Sequence, residues 1–316
     1  MAPTDPAAAE PVSSETLDQA LRRATRTLSD AGVASPRHDA EQLAAFVLGS
    51  PRAQVRAAAV RGDDVRLGAR FDELVEERAR RTPLQHLTGQ APFRDLVLDV
   101  GPGVFVPRPE TEVVAGEAVE EARHLVQVGR RPVVVDLCTG SGAIALSVAT
   151  EVPGSDVHAV ELSQEACAWA QRNVDSCAQG ARSLVDLRQG EAGTAFADLD
   201  GLVDVLVSNP PYIPPGSEPT DPEVRDHDPQ VALYGGGPDG LAVPAQVVSA
   251  AARLLRPGGL LVMEHADVQQ GQVLALLRRP GADGRSPWTD TAGHTDLAGR
   301  PRYVTARRTG NGHLPG

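Results

Sequence analysis

The sequence has little cysteine, few aromatic residues and no lysine. Its 316 residues include 3 cysteines, 3% aromatic residues and 30 basic residues, all of them arginine. The cysteines are odd in number and form no C-x-x-C pair, which is typical of free thiols in a reducing compartment. We therefore predict neither a disulfide framework nor a metal site, and a core built from Leu, Val and Ala.

Long apolar runs are also missing. No run approaches the roughly 18 apolar residues of a membrane span, and residues 1–5 lack the features of a signal peptide. We expect a cytoplasmic protein without a membrane partner. The net charge of −12 argues against a direct grip on nucleic acid through a basic face. Residues 201–250 contain seven acidic residues and one basic residue, Arg225, and are therefore especially acidic.

Helical periodicity dominates the first part of the chain. Apolar residues recur every three or four positions, as in Leu17, Leu21 and Leu28. The predicted helices begin near Leu17, at Ser35-Pro36 and near Arg66, the third extending to about Arg81. We interpret residues 14–82 as a small helical bundle that follows a disordered tail, residues 1–13.

The periodicity changes between residues 83 and 109. Leu96–Val100 and Val104–Val106 alternate like strands on either side of Gly101–Gly103. This pattern predicts a β-hairpin, and we interpret residues 83–109 as a hairpin linker between two domains.

Strand and helix patterns alternate in residues 110–308. Apolar runs predict buried strands over 132–137, 157–161, 203–208 and 259–264. Helical patterns cover 143–150, 164–177 and 242–255. Such alternation predicts an α/β, doubly wound, Rossmann-like domain with a mostly parallel sheet, followed by a loose tail, residues 309–316.

A glycine-rich turn follows the first of these strands. It reads Asp136-Leu137-Cys138-Thr139-Gly140-Ser141-Gly142, and Glu161 ends the next strand. Glycines between a strand and a helix let backbone amides approach a ligand, and the acid can accept hydrogen bonds from a ribose diol. These residues fit an S-adenosylmethionine site, a nicotinamide or flavin site, or a purely structural turn.

A second motif, Asn209-Pro210-Pro211-Tyr212, directly follows the strand over 203–208. The Asn209 side-chain oxygen and the Pro210 carbonyl are two acceptors, and Pro211 restricts the residue before it to an extended conformation. Together they can take both hydrogens of a planar –NH₂ group, while Tyr212 offers an aromatic face. Such positioning can aim a poor nitrogen nucleophile at an electrophilic methyl group.

These motifs resemble the family of release-factor glutamine methyltransferases. The resemblance also includes Pro83–Gly89, Phe93, Phe105–Glu112, Ser208–Pro214, Glu223–Pro229 leading to Leu233, and Glu264-His265. It extends from about residue 16 to residue 307. It implies a doubly wound S-adenosylmethionine methyltransferase domain and transfer to the glutamine amide nitrogen of the Gly-Gly-Gln loop in bacterial peptide chain release factors.

The resemblance implies a role for each motif residue. S-Adenosylmethionine would be bound by Asp136, Cys138, Thr139, Gly140, Ser141, Gly142, Glu161, Glu191 and Asn209. Asn209, Pro210 and Tyr212 would be catalytic and, with Pro211, would form the glutamine pocket. The helical domain would dock on the release factor.

The sequence departs from the family pattern in the cofactor motifs. Cys138 stands where the family usually has Gly, and Glu161 replaces a common Asp. Ala192 follows Glu191 where the family often has an aromatic residue. Asp226-His227-Asp228 is interpreted as solvated surface rather than as a metal site.

Two other functions remain open from the residues. The same tetrapeptide occurs in nucleic-acid methyltransferases that act on N6 of adenine or N2 of guanine, although the acidic segment after it would repel phosphates. A non-catalytic adaptor that keeps the fold is the other alternative, and the intact Asn209 and Tyr212 argue against it.

Overall fold

A computed structural model describes residues 15–177, 185–280 and 284–310. The chain divides into two units, residues 1–88 and residues 89–316. The predicted tails 1–13 and 309–316 lie outside the described residues, except for Thr309 and Gly310.

The described part of the first unit contains helices and turns but no strand. The helices are α1 (Leu17–Asp30), α2 (Pro36–Leu48), α3 (Arg52–Arg61), α4 (Gly68–Ala79) and α5 (Leu84–Thr88). Thr16 and Gln19 form a capping box that satisfies backbone amides at the start of α1. The predicted stripe of Leu17, Leu21 and Leu28 is fully buried in the core of this unit.

Helices α3 and α5 are not predicted from the periodicity. Helix α3 buries only Val55 and Ala59, so no apolar stripe distinguishes it from a loop. Helices α2 and α4 are joined by a buried ion pair in which Arg78 Nε donates to Asp39 Oδ2 at 2.8 Å.

The predicted hairpin around Gly101–Gly103 is wrong in its register. The observed hairpin pairs β1 (Gln90–Phe93) with β2 (Leu96–Asp99), and Val104–Val106 forms no strand. Pro92 interrupts the sequence pattern of β1, because proline is rare in strands. It is nevertheless tolerated in an edge strand. Gly101 serves close packing instead of a turn, since an added Cβ would meet the Trp169 ring at 2.5 Å.

The second unit is built on a seven-stranded sheet. Its strands are β3 (Val133–Leu137), β4 (Asp156–Glu161), β5 (Val185–Gln189), β6 (Val203–Ser208), β7 (Leu255–Glu264), β8 (Trp288–Thr295) and β9 (Pro301–Arg308). The order is β5-β4-β3-β6-β7-β9-β8, with β3 to β7 parallel and β9 antiparallel to both neighbours. The predicted doubly wound, mostly parallel sheet is confirmed.

Helices cover both faces of this sheet. They are α6 (Thr111–Gln127), α7 (Ala143–Glu151), α8 (Gln164–Cys177), α11 (Ala242–Leu254) and α12 (Gln270–Leu277). A 3₁₀ turn spans Ala197–Leu199, and the short helices α9 (Pro222–His227) and α10 (Gln230–Leu233) lie between β6 and α11 in the sequence. Val134 packs in the core with α6 and α7, whereas Val135 belongs to the core with α11 and α12. Consecutive residues of the central strand thus point to opposite, fully buried faces.

The strand order creates a crevice at one end of the sheet. From β3 the chain moves outward to β4 and β5, then returns to place β6 on the other side of β3. Ligands of doubly wound proteins bind beyond the carboxyl ends of the strands at such a switch point. Both sequence motifs follow these strands, β3 and β6.

Candidate active site

A cavity of about 630 Å³ opens beyond the carboxyl ends of β3, β4 and β6. This volume is typical of a site for a cofactor-sized ligand. The cavity is lined by nearly all of the predicted site residues: Cys138, Thr139, Gly140, Ser141, Glu161, Glu191, Asn209, Pro210, Pro211 and Tyr212. The two motifs, far apart in the sequence, therefore meet in one site.

The turn after β3 is held by backbone hydrogen bonds. Thr139 N–H donates to the Val160 carbonyl at 3.0 Å, and Gly142 N–H donates to the Thr139 carbonyl at 2.9 Å. Gly140 and Gly142 have φ values of 58° and 84°, which favour glycine. An added Cβ at Gly140 would meet nothing within 4 Å, so the turn borders open space.

Asp136 lies beneath this turn. Its Oδ2 accepts hydrogen bonds from the Thr139 hydroxyl at 2.5 Å and from Ala145 N–H at 3.1 Å. Complete burial raises the pKa of Asp136 to about 7. The described residues that line the cavity do not include Asp136, and its contacts tie the turn to the start of α7.

Glu161 ends β4 and is part of the same turn. Its Oε2 accepts from Gly140 N–H and its Oε1 from Ser163 N–H, both at 2.9 Å. Burial raises the pKa of Glu161, and these backbone donors oppose the shift. The carboxylate borders the cavity, where its remaining lone pairs can accept from a diol.

Cys138 adopts a backbone conformation that is unusual for its type. Its φ of 61° lies in the left-handed region, where a side chain is strained. Burial raises the pKa of its thiol, and Glu161 and Asp136 raise it further. The thiol is thus protonated and unreactive as a nucleophile.

Of the two remaining residues predicted to bind the cofactor, Glu191 borders the cavity and Gly142 does not. Glu191 is exposed and borders the cavity in the loop after β5. Gly142 lies at the start of α7 without bordering the cavity; an added Cβ there would meet Leu146 at 3.3 Å. Gly142 therefore allows the turn to pack closely on its own helix.

The Asn209–Tyr212 segment borders the cavity and contains two acceptors that have no hydrogen-bond donor in the described chain. Asn209 Nδ2 donates to Thr111 Oγ1 at 3.1 Å. No donor of the described chain reaches Asn209 Oδ1 or the Pro210 carbonyl. The Tyr212 carbonyl, by contrast, accepts from Gln269 Nε2 at 2.8 Å. Gln269 thus fixes the Tyr212 end of the segment. Asn209 Oδ1 and the Pro210 carbonyl remain able to accept hydrogen bonds from a ligand.

Two buried residues hydrogen-bond this segment, and neither was predicted as a site residue; Thr111 also borders the cavity, whereas Glu264 does not. Thr111 bonds Asn209, and Glu264 Oε1 accepts from the Tyr212 hydroxyl at 3.3 Å. Burial raises the pKa of Glu264 to about 7. A sequence signal did exist, because Glu264 is an acid that ends a buried strand, as Glu161 is.

A glycine-bordered loop forms another wall of the cavity. The loop, residues 214–233, is closed by Ile213 N–H donating to Leu233 O at 2.8 Å and by Gly235 N–H donating to Ile213 O at 3.1 Å. Gly235 packs so tightly that an added Cβ would meet the Gly240 carbonyl oxygen at 1.9 Å. Backbone contacts thus fix both ends of this wall.

The interpretation of Asp226-His227-Asp228 as solvated surface is wrong for Asp228. Asp226 is exposed and pairs with Arg225, but Asp228 is 6% exposed. Its Oδ2 accepts from Arg108 Nη2 at 2.6 Å. An arginine 120 residues away thus supplies the counter-charge that allows the carboxylate to be buried.

Comparison with known proteins places this site in a family. The profile of the PrmC N-terminal domain matches residues 19–89, and that of the methyltransferase small domain matches residues 122–220. The chain is 53% identical over 289 residues to the release factor glutamine methyltransferase of Streptomyces coelicolor, covering 91% of this chain and 96% of that protein. The Mycolicibacterium smegmatis protein of the same name is 47% identical over 292 residues, with coverage of 92% and 98%.

A further relative acts on a small molecule. The 4-amino-L-phenylalanine/4-methylamino-L-phenylalanine methyltransferase of Streptomyces pristinaespiralis is 41% identical over 270 residues, covering 84% of this chain and 88% of that protein. All of these relatives are methyltransferases, and so is this chain. It belongs to the family of release factor glutamine methyltransferases, which confirms the predicted resemblance. Among its described helices, none combines the length and apolarity needed to cross a membrane.

Proposed function

We propose that the protein transfers a methyl group from S-adenosylmethionine to the side-chain amide nitrogen, N5, of the Gly-Gly-Gln glutamine in bacterial peptide chain release factors. The reaction would occur in the cytoplasm and modulate translation termination. The observation that carries this proposal is the pair of open acceptors, Asn209 Oδ1 and the Pro210 carbonyl, on the wall of the cavity.

The cavity suits this cofactor. S-Adenosylmethionine supplies an electrophilic methyl group on a cationic sulfonium. Acidic side chains, including Glu110, Glu161, Glu191 and Asp221, border the cavity and favour a cation. We assign Cys138–Ser141 to its methionine end and Glu161 to its ribose; Asp136 and Gly142 support the turn.

The glutamine amide would be oriented by this chain's own residues. A planar amide nitrogen is a poor nucleophile because its lone pair is delocalised. Asn209 Oδ1 and the Pro210 carbonyl would each accept one of its hydrogens, while the Tyr212 ring packs against its face. Positioning of this kind can lower a barrier by several kcal/mol. The nitrogen–methyl bond would form as the methyl–sulfur bond breaks, leaving the neutral thioether S-adenosylhomocysteine, and the methylated nitrogen would then lose one proton to water.

The helical domain, residues 14–82, would dock on the release factor. Its match to the PrmC N-terminal domain profile and its exposed apolar residues support this role. Val60 on α3 is 89% exposed beside Ala57. We expect Val60→Asp to raise the KM for the release factor about tenfold while cofactor affinity is unchanged, because a charge disfavours an apolar interface. An unchanged KM would remove Val60 from the docking surface.

Transfer to nucleic acid is not favoured. The acidic loop beside the cavity would repel a phosphate backbone, and the net charge is −12. The relative that methylates 4-amino-L-phenylalanine makes an aromatic amine a necessary control substrate.

The test is a mass spectrum of a release factor before and after incubation with the protein and S-adenosylmethionine. We expect one added methyl group, located on the Gly-Gly-Gln glutamine, and none when that glutamine is replaced by alanine. Parallel reactions contain DNA, RNA or 4-amino-L-phenylalanine. An unmodified glutamine under conditions where the cofactor binds, or preferential methylation of a parallel substrate, would overturn the proposal.

A further inference from the structure

Thr111 and Glu264 hydrogen-bond Asn209 and Tyr212; Thr111 itself borders the cavity, and Glu264 lies behind the cavity lining. Thr111 Oγ1 accepts from Asn209 Nδ2 at 3.1 Å, and Glu264 Oε1 accepts from the Tyr212 hydroxyl at 3.3 Å. The two supporting residues are 5% and 2% exposed. Two neighbouring side chains of the pocket are thus held by a buried polar pair.

The orientation of the Asn209 amide decides what the pocket can bind. An asparagine amide has nearly the same shape when its oxygen and nitrogen exchange places. With the oxygen toward the cavity, Asn209 accepts a hydrogen from the substrate; with the nitrogen there, it would repel an –NH₂ group. Only the first orientation gives the pocket two acceptors.

Thr111 can enforce that orientation only if its own hydrogen has another acceptor. A hydroxyl carries one hydrogen, and Thr111 would reverse the Asn209 amide by donating to it. Thr111 lowers the pKa of the Glu264 carboxyl, against the larger effect of its burial. The Oε2 atom of that carboxyl is buried and is not engaged by Tyr212 or by another close donor of the described chain. It is therefore available for the Thr111 hydrogen.

We propose that Thr111 and Glu264 are positioning residues that hold Asn209 with its oxygen toward the substrate amide. In its ionised form the Glu264 carboxyl takes the hydrogens of Thr111 and Tyr212, and Thr111 in turn accepts from Asn209. This inference rests on the proposed function, and it makes the pocket specific for a primary amide. A glutamate side chain, which has no amide hydrogens, would meet only acceptors.

The experiment compares Thr111→Val, Thr111→Ser and Glu264→Gln with the wild type in release-factor methylation. Valine has nearly the shape of threonine but lacks the hydroxyl. We expect kcat to fall about 10- to 100-fold in Thr111→Val, because a misplaced orienting group costs about that much. The KM for the release factor and the Kd for S-adenosylmethionine should stay within about threefold of wild type, and Thr111→Ser should recover most of kcat.

Thr150→Val is the matched control. Thr150 is a threonine whose partly buried hydroxyl donates to the Leu146 carbonyl of its own helix at 2.7 Å, and unlike Thr111 it does not border the cavity. Its loss should leave kcat unchanged. A kcat in Thr111→Val equal to the wild-type value would overturn the inference, as would an equal loss of kcat and cofactor affinity.

Methylation of the release factor by the wild-type protein tests the proposed function separately from the positioning role. If the wild type binds cofactor but leaves the glutamine unmethylated, the proposed function fails, whatever the variants do. If Thr111→Val does not fold, the kinetics of Glu264→Gln test the inference instead. A lowered kcat with an unchanged KM for the release factor supports it, and an unchanged kcat overturns it.

Discussion

The Gly140 amide donates a hydrogen bond to Glu161 Oε2 at 2.9 Å. The bond joins the glycine turn after β3 to the acid that ends β4. The residue assigned to the cofactor ribose thus also shapes the turn assigned to its methionine end. Changes at Glu161 should therefore affect the whole cofactor and not one contact alone.

We predict that Glu161→Gln raises the Kd for S-adenosylmethionine about tenfold or more. Both carboxylate oxygens accept from backbone amides, so an –NH₂ group at one of them would face another donor. Isothermal titration calorimetry measures the change. Glu161→Asp keeps the charge and should lose less affinity, and a Gln variant that binds as tightly as wild type would contradict the assignment.

Asn209→Ala should lower kcat/KM by about 100- to 1,000-fold, the effect of removing one preorganised hydrogen-bonding group. Cofactor affinity should change much less, because the turn and Glu161 supply most of the proposed contacts. Steady-state kinetics and calorimetry on the same preparation separate the two effects. Equal loss of both would mean that Asn209 serves the cofactor and not the substrate amide.

Cys138 offers a test of backbone strain. We expect Cys138→Gly to have a free energy of unfolding about 1 kcal/mol higher than Cys138→Ala, because both lack the thiol and only alanine keeps a Cβ at a φ of 61°. Urea unfolding of the two variants gives the difference directly. An alanine variant as stable as the glycine variant would show that the turn relaxes without strain.

The stability of the protein should depend on pH through Glu264. Burial raises the pKa of Glu264 from 4.5 to about 7, opposed by Thr111, Arg302 and Tyr212 and assisted by Glu110. The folded state therefore holds this proton more tightly than the unfolded chain. The resulting stabilisation is complete below about pH 4.5 and is lost as the pH rises to about 7.

Glu264→Gln removes this dependence. Its free energy of unfolding relative to wild type should rise between about pH 4.5 and 7 by on the order of 2 kcal/mol. Asp136 has a pKa raised in the same direction, but it is present in both proteins and cancels in the difference. Denaturant unfolding at several pH values measures the effect, and a constant difference would contradict it.

Local patterns in the sequence predicted the central strands and the glycine turn. Continuous apolar runs identify β3, β4, β6 and most of β7, because both faces of these strands are buried. The edge strands β5 and β8 were not predicted, because neither has a continuous apolar run. Strand β5 reads Val-Asp-Leu-Arg-Gln, and most of β8 is polar. Their pairing depends on neighbours and not on their own apolar pattern.

The supporting contacts of the site could not be predicted from local patterns. Thr111 and Asn209 are 98 residues apart, and Arg108 and Asp228 are separated by 120. Single motifs identify the residues that face a ligand, since those must have a particular chemistry. Partners behind them come together only through the folding of distant segments.

The fastening of the cavity wall at Ile213 and Gly235 has a consequence for the choice of substrate. Residues 214–233 leave and re-enter the fold at one place, and Asp228 ties the stretch to Arg108, so its other positions can change while the Asn209–Tyr212 segment keeps its geometry. Because several residues of this stretch line the cavity, exchanging it alters the surface beside the Asn209–Tyr212 segment and leaves the glycine turn in place. A chimera that carries the corresponding stretch of the 4-amino-L-phenylalanine enzyme tests whether the stretch decides which amine is methylated.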